Sequence, residues 1–142
     1  MRTVSIRHVY VAAASSDLDR AERWMRLLGA ADIGVTSTWV DVIRASGLEG
    51  NPRDATQPQR RDWSDADLNG VRNADLVWFL VNNTAPARGA YFECGYARGL
   101  DKVLVFSGDT KQSIFPALGQ EYAEDIDAFA AICRMAKNGA LL

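Results

Sequence analysis

A continuous apolar run near the middle of the chain, residues 76–81, most constrains the fold. Its sequence is Leu-Val-Trp-Phe-Leu-Val, with no alternation between apolar and polar residues. Such a run is typical of a strand that is buried on both faces, as in a parallel sheet. Segments with strand character and segments with helix character alternate on both sides of it. The pattern predicts an α/β fold: a single doubly wound, flavodoxin-like or Rossmann-like parallel sheet of about five strands with helices on both faces.

The other predicted elements follow from periodicity and from capping residues. Strands are expected at 9–14, 33–40, 102–106 and 121–123, and helices at 18–28, from Ser64, at 90–100 and at 125–137. Residues 44–62 contain two glycines, two prolines and no clear period, and are predicted to form a long loop. Such a loop fits either a lid over a site or an ordinary solvated connection.

Composition excludes several classes of protein. The length of 142 residues fits one domain spanning 1–142, and a content of 48% hydrophobic and 24% charged residues is that of an ordinary globular protein. A net charge of -2 gives no basic field, so neither a nucleic acid nor a membrane surface is an expected partner. There is no apolar run long enough for a membrane span and no leader pattern, which together with two distant cysteines favours a cytoplasmic location. A lone histidine, His8, excludes a site with several histidine ligands for a metal.

A glutamate follows the most buried predicted strand, at the sheet edge where doubly wound folds bind ligands. Glu93 lies between Gly89 and Gly95, in what is predicted to be the first turn of a helix. The helix dipole there favours an ionised carboxylate, and glycines allow a ligand to approach closely. An ionised carboxylate at that edge is able to attack a sugar carbon. From spacing alone, a first-turn glutamate that merely stabilises its helix is the commoner case.

A second acid, Asp67, is predicted to open the helix that precedes the buried strand. It begins the run Asp-Leu-Asn-Gly-Val at 67–71. An acid close to Glu93 is able to protonate a departing base. An aspartate that only complements the helix dipole is the simpler interpretation of this run alone.

Taken together, these segments resemble the nucleoside 2-deoxyribosyltransferase family. Residues 9–13 (Val-Tyr-Val-Ala-Ala) are similar to its first strand with a ligand-facing tyrosine, and 37–39 (Ser-Thr-Trp) to its Ser-Arg-Trp run. Residues 67–71 nearly match its Asp-Leu-Asn-Gly-Ile, and 89–97 match its Gly-x-x-x-Glu-x-Gly-Tyr-Ala block. The resemblance spans residues 9–106.

The resemblance implies a role for each matched residue. Glu93 would attack the anomeric carbon of a 2-deoxyribonucleoside, Asp67 would contact and protonate the base, and Tyr10 would orient the nucleophile or the sugar. Further substrate contacts are expected from Ala13, Trp39, Asn69, Arg88 and Gly89. No metal or organic cofactor is implied. The partner is a small nucleoside or nucleotide, and by analogy the chain forms a homo-oligomer, at least a dimer.

One position departs from the family pattern. Members that transfer bases carry an aspartate six residues before the nucleophile, and the related deoxynucleoside monophosphate glycosidases tend to have a serine; this chain has Ala87. Three functions therefore stay open: a deoxyribosyltransferase, a 5′-monophosphate N-glycosidase with Arg88 at the phosphate, and a non-catalytic nucleotide-binding or sensing module. Trp39 fits either stacking on a base or a place in the core.

Overall fold

The structure is a computed structural model that describes residues 2–47, 54–82 and 84–142. Its strands are β1 (Thr3–Val4), β2 (His8–Ala13), β3 (Gly34–Val35), β4 (Leu76–Leu80), β5 (Val103–Ser107), β6 (Gln120–Tyr122) and β7 (Ala140–Leu141). Its helices are α1 (Leu18–Ala30), α2 (Trp39–Ser46), α3 (Gln57–Asn73), α4 (Arg88–Gly99) and α5 (Asp125–Asn138). None of the helices in these ranges is both long and apolar enough to cross a membrane.

Five of the strands form the predicted parallel sheet, in the order β3-β2-β4-β5-β6. The chain first moves outward from β2 to β3 and then returns to the other side of β2 to form β4. The order therefore reverses between β2 and β4, and doubly wound sheets bind their ligands beyond the carboxyl ends of the strands at such a point. The doubly wound fold expected from the sequence is confirmed. A short antiparallel pair of β1 and β7, which the sequence analysis missed, joins the two ends of the chain.

The middle strand β4 shows how the helices cover both faces of the sheet. All five of its residues are buried. The Trp78 ring packs against Trp24 of α1 at 5.4 Å between centroids, while the next ring, Phe79, packs against Tyr91 of α4 at 4.8 Å. Because neighbouring side chains of a strand point to opposite faces, α1 and α4 lie on opposite sides of the sheet. This explains why the run has no polar alternation.

The expected strand at 33–40 is wrong for most of its length. Only Gly34 and Val35 pair with β2, and helix α2 begins at Trp39. The backbone of Val11 is satisfied by side chains: its N–H donates to Ser37 Oγ at 3.1 Å, and its carbonyl accepts from Trp39 Nε1 at 2.8 Å. These bonds replace the ladder that a longer β3 would have formed, so tertiary contacts override the β propensity of this segment.

The expected long loop at 44–62 is also wrong at both ends. Helix α2 continues to Ser46, and α3 begins at Gln57. Thr56 Oγ1 accepts from the N–H of Gln59 at 3.2 Å, and Gln59 Oε1 accepts from the N–H of Thr56 at 2.8 Å, which forms a capping box. Residues 48–53 lie outside the described residues, and so does the expectation of a lid there.

The observed helix starts change the positions of Asp67 and Glu93 within their helices. Because α3 begins at Gln57, Asp67 lies well inside a helix of 17 residues and not in its first turn. Because α4 begins at Arg88, Glu93 lies in the second turn of its helix. The predicted first-turn positions of both acids are therefore wrong.

Candidate active site

A cavity of about 780 Å³ lies beyond the carboxyl end of β2, among α2, α3 and α4. Its lining residues come from the segments that follow β2 and β4 and from the facing sides of these helices. They are Ala13, Ala14, Ser15, Trp39, Ile43, Ser64, Asp67, Leu68, Pro86, Ala87, Arg88, Gly89, Ala90, Phe92 and Glu93. The cavity is thus at the edge of the sheet where the topology places a ligand.

Glu93 projects from the buried side of α4 and is held by Tyr10. Ala90, Glu93, Cys94 and Ala97 form the inward face of this helix, with Glu93 only 9% exposed. The phenol of Tyr10, on strand β2 beside the middle strand, is fully buried and donates a short hydrogen bond to Glu93 Oε2. One carboxylate oxygen is therefore fixed by the sheet, while the residue also lines the cavity.

The electrostatic surroundings of Glu93 favour its neutral form. Burial raises its pKa to about 8; the hydrogen bond from Tyr10 acts in the opposite direction, and the charge of Asp67 adds to the increase. Burial thus acts against the helix dipole that was expected to keep Glu93 ionised. Burial and the neighbouring charge of Glu93 also raise the pKa of Tyr10, so the phenol keeps its proton and acts as a donor.

Asp67 enters the cavity from α3. It is partly buried, and this burial raises its pKa to about 6. Gly70 allows α3 to lie this close to β2, because a Cβ atom there would be 2.8 Å from both the Thr36 carbonyl oxygen and Tyr10 Cε2. Thr36 Oγ1 also donates to the carbonyl of Gly70 at 2.7 Å. The glycine of the Asp-Leu-Asn-Gly run thus has a packing role that brings Asp67 to the cavity.

The structure brings most of the predicted site residues together. Those lining the cavity are Ala13, Trp39, Asp67, Arg88, Gly89 and Glu93. Tyr10 lies behind the cavity wall and reaches the site through Glu93. Asn69 is exposed on α3 and is not among the lining residues, so its contact with substrate stays a prediction that this geometry does not support.

Trp39 combines the two interpretations that the sequence left open. It is 9% exposed and anchored by its hydrogen bond to Val11, yet its side chain forms part of the cavity wall. Ile43, one helical turn later, extends this apolar wall. The site therefore offers an apolar surface from α2 opposite the carboxylates.

The sequence analysis missed Ser15, Ile43, Ser64 and Phe92 as lining residues. Two of them had a usable signal. Ser64 precedes Asp67 by three residues and Ile43 follows Trp39 by four, and these spacings place side chains on one helix face. The signal was hidden because α2 was not predicted and α3 was expected to start at Ser64.

Three ionisable side chains stand out among the described lining residues: the acids Asp67 and Glu93 and the cation Arg88. Ala87, where an acid or a serine was sought, lines the same cavity with a methyl group. Two carboxyl groups with raised pKa values and a buried phenol suit nucleophilic attack at one atom of a substrate and proton donation at another.

Comparisons with known proteins relate the chain to one family and its fold to two solved structures. The profile of the family described as Nucleoside 2-deoxyribosyltransferase matches residues 9–134. The fold is similar to that of a 2-deoxyribosyltransferase from Bacillus psychrosaccharolyticus, at 20% identity and a TM-score of 0.62 over 88% of this chain and 95% of that one. It is also similar to the CMP N-glycosidase BcmB of Clostridium botulinum, at 12% identity and a TM-score of 0.54 over 88% and 97% of the two chains. No curated protein sequence matches the chain.

Proposed function

The chain belongs to the nucleoside 2-deoxyribosyltransferase family, and on this premise we propose that it cleaves or exchanges the N-glycosidic bond of 2-deoxynucleosides through a covalent glutamyl-sugar intermediate. The observation that carries the proposal is the hydrogen bond from the buried Tyr10 phenol to Glu93, at a cavity that Asp67 also lines. It leaves the second oxygen of Glu93 for the substrate.

In the first step, the ionised carboxylate of Glu93 attacks the anomeric carbon. A bond forms between Glu93 Oε1 and this carbon, the bond from the carbon to the base nitrogen breaks, and its electron pair goes to the base. Asp67, whose pKa is raised to about 6, gives its proton to the departing base. Tyr10 keeps the carboxylate oriented and stabilises the charge of Glu93 before attack.

In the second step, the ester between Glu93 and the sugar is broken. The nitrogen of a second base attacks the anomeric carbon in a transfer reaction, or the oxygen of water does so in hydrolysis. Glu93 leaves as a carboxylate, and Asp67 takes the proton that the attacking base or water loses. Both outcomes use the same residues, so the choice between them depends on which acceptor the cavity admits.

The test combines an exchange assay with trapping of the intermediate. Deoxyinosine with free adenine is expected to give deoxyadenosine and hypoxanthine. Acid quenching during turnover, followed by intact mass measurement, is expected to show one deoxyribosyl group on the protein, located at Glu93 by peptide mapping. Glu124→Gln, which changes an exposed carboxylate immediately before α5, is the matched control and should retain both signals.

Two results would overturn the proposal. One is turnover without any deoxyribosyl adduct when the quench is fast enough to capture a steady-state intermediate. The other is binding of deoxynucleosides without turnover, unchanged in Glu93→Gln, which is the behaviour of a sensing module.

The second candidate function is a 5′-monophosphate N-glycosidase, and the observation that favours it is Arg88. Arg88 is one of the residues that line the cavity, and a guanidinium binds a phosphate with two parallel hydrogen bonds. Under this alternative, release of free base is faster from deoxynucleoside 5′-monophosphates than from deoxynucleosides. Arg88→Met is then expected to raise KM for the monophosphate about tenfold or more and to leave KM for the nucleoside nearly unchanged. Equal effects on both substrates would exclude a phosphate contact.

A further inference from the structure

We propose that Asp17 and Asn82 are positioning residues that join the two segments forming one side of the cavity, with Arg20 holding Asp17 in place. The inference rests on the proposed function for its catalytic consequence. Asp17 ends the 3-10 turn Ser15–Asp17 that follows β2, and Asn82 follows β4. The side-chain amide of Asn82 donates to Asp17 Oδ2 at 2.8 Å, across the switch point of the sheet.

Asn82 also organises the start of α4. Its Oδ1 accepts from the N–H of Thr84 at 2.7 Å, from the hydroxyl of Thr84 at 2.9 Å and from the N–H of Ala85 at 3.1 Å. An Asn that accepts bonds from residues two and three positions later fixes the local turn. This turn leads directly to Pro86 and then to Arg88, the first residue of α4. The orientation of the Asn82 side chain is thereby coupled to the helix that carries Glu93.

Asp17 has a corresponding role on the other segment. Ala14 and Ser15, immediately before it, line the cavity. Asp17 Oδ2 also accepts from Arg20 Nη1 at 3.2 Å. The same Arg20 nitrogen donates to the carbonyl of Val81 at 2.9 Å, at the end of β4. The segment after β2 is thus connected to the segment after β4 twice, once through the bond from Asn82 to Asp17 and once through Arg20.

Arg20 is itself held in a fixed position. Its Nε and Nη2 each donate to a carboxylate oxygen of Asp125 at 2.7 Å, in the bidentate geometry that orients a guanidinium most strictly. The Arg20 side chain is 22% exposed and that of Asp17 is 19% exposed, so water competes with these bonds only weakly.

This arrangement matters for the reaction because covalent attack tolerates little misplacement. A nucleophile must approach to about 3–3.5 Å from the carbon, and a shift of about 1 Å is enough to lower the rate by about 10²-fold. Neither Asp17 nor Asn82 is a lining residue of the cavity. Their effect is therefore exerted through the segments that they connect.

The test exploits a swap of the two side chains. Asn82→Asp keeps an oxygen for Thr84 and Ala85 but removes the donor to Asp17 and places two carboxylates in contact. The double variant Asp17→Asn/Asn82→Asp restores a donor at 17 and an acceptor at 82 with the net charge of the wild type. It loses the bond from Arg20 Nη1 to residue 17, but this nitrogen keeps the Val81 carbonyl as its acceptor. We expect kcat for deoxynucleoside cleavage to fall about tenfold in Asn82→Asp, with a smaller change in KM, and to return to within about threefold of wild type in the double variant.

A second measurement does not require activity. Hydrogen exchange of the amides in 13–17 and at the start of α4 is expected to be faster in Asn82→Asp than in wild type, and slower again in the double variant. Equal exchange and equal kcat in all three proteins would overturn the inference, and so would a loss in Asn82→Asp that the swap does not reverse. A wild-type protein that releases no base would instead refute the proposed function, and the exchange data would still decide whether the two segments are coupled.

Discussion

Near the carboxyl edge of the same sheet lie the buried Glu93 and the half-buried Asp125, and their pKa values are shifted in opposite directions. Glu93 is bound by the neutral phenol of Tyr10 and has a second acid, Asp67, as a neighbour, and burial raises its pKa to about 8. For Asp125, burial alone would also raise the pKa. The hydrogen bonds and charge of Arg20, with bonds from Ser107 and Trp24, outweigh burial and hold the pKa of Asp125 below its ordinary value.

The difference shows that the partners of a buried acid decide its charge. Asp125 accepts bonds from two guanidinium nitrogens, a hydroxyl and an indole, so its ionised form is fully compensated in the folded protein. The ionised form of Glu93 lacks such compensation from its described neighbours. A sugar that becomes positive in the transition state would supply it, and an interaction that is strong only in the transition state accelerates the reaction.

The largest expected effect comes from replacing Glu93, whose ionised form lacks a cationic partner among the described residues. Glu93→Gln is expected to lower kcat/KM for deoxynucleosides by about 10³-fold or more, since the amide cannot form the glycosyl ester. The pKa of Glu93 is raised from 4.5 to about 8, so the wild-type protein loses stability as pH rises through this interval. The uncharged glutamine avoids that loss.

Denaturant unfolding at pH 5 and pH 9 measures this second effect. Relative to wild type, Glu93→Gln should gain stability at pH 9 compared with pH 5. A difference that does not change with pH, or a rate near that of wild type, would contradict the view of Glu93 as an uncompensated nucleophile.

The same change from acid to amide at Asp125 should have the opposite effect on stability. Asp125→Asn leaves Arg20 without its counter-charge, and breaking such a pair costs about 2–3 kcal/mol at positions that retain some solvent contact. The side chains of Arg20 and Asp125 are 22% and 14% exposed. Because the pKa of Asp125 is lowered on folding, its contribution is present above the ordinary carboxyl pKa and disappears as pH falls through the folded value. The free energies of unfolding of wild type and Asp125→Asn should therefore differ at pH 7 and become more similar at low pH. A difference that does not change with pH would argue against an ionised Asp125.

Asp67→Asn tests whether the second acid supplies the proton. We expect kcat/KM for deoxynucleosides to fall about 10²-fold. The wild-type profile requires Glu93 ionised and Asp67 protonated, so it should be bell-shaped, with limbs near the pair's values of about 6 and 8. The variant should lose the alkaline limb and keep only a rise with pH that follows the ionisation of Glu93; this rise should lie at higher pH than the wild-type acid limb near 6, because burial, the largest cause of the raised Glu93 pKa, remains.

A substrate that needs no proton is the control for Asp67. A 2-deoxyriboside whose leaving group departs as a stable anion should be cleaved by Asp67→Asn at nearly the wild-type rate. An equal loss with both substrates would show that Asp67 positions the base and does not protonate it.

The sequence predicted the sheet better than the connections around it. The run at 76–81 was sufficient for the central strand because its composition reflects burial on both faces, a property that the sheet alone determines. The early end of β3 and the whole of α2 were missed, since Ser37 and Trp39 satisfy the backbone of Val11 in place of a strand. That exchange depends on contacts over 26 and 28 residues, which no local pattern contains.

The candidate site was predictable in its residues but not in its charges. The motif segments located Tyr10, Asp67 and Glu93, and the fold brings all three together. The pKa shift of Glu93, however, depends on where helix α4 begins, which the sequence did not predict. Glu93 proved to lie in the second turn and to be buried, so desolvation dominates over the helix dipole that the sequence suggested.

The smallest expected effect comes from Tyr10→Phe, which removes the hydroxyl that donates a hydrogen bond to Glu93. The hydrogen bond from Tyr10 lowers the pKa of Glu93, so without it this pKa rises further and the alkaline limb of the kcat/KM profile, near 8 in wild type, moves to higher pH. We expect kcat at its optimum to fall about tenfold, since Glu93 also loses its orienting contact. Tyr122→Phe is the matched control, because its phenol donates to the exposed Gln120 on the edge strand β6 and its removal should leave the profile in place. An alkaline limb that stays in place, or moves to lower pH, in Tyr10→Phe would show that the phenol does not favour the charged form of Glu93. The two carboxylates would then differ by their burial and the Arg20 pair alone.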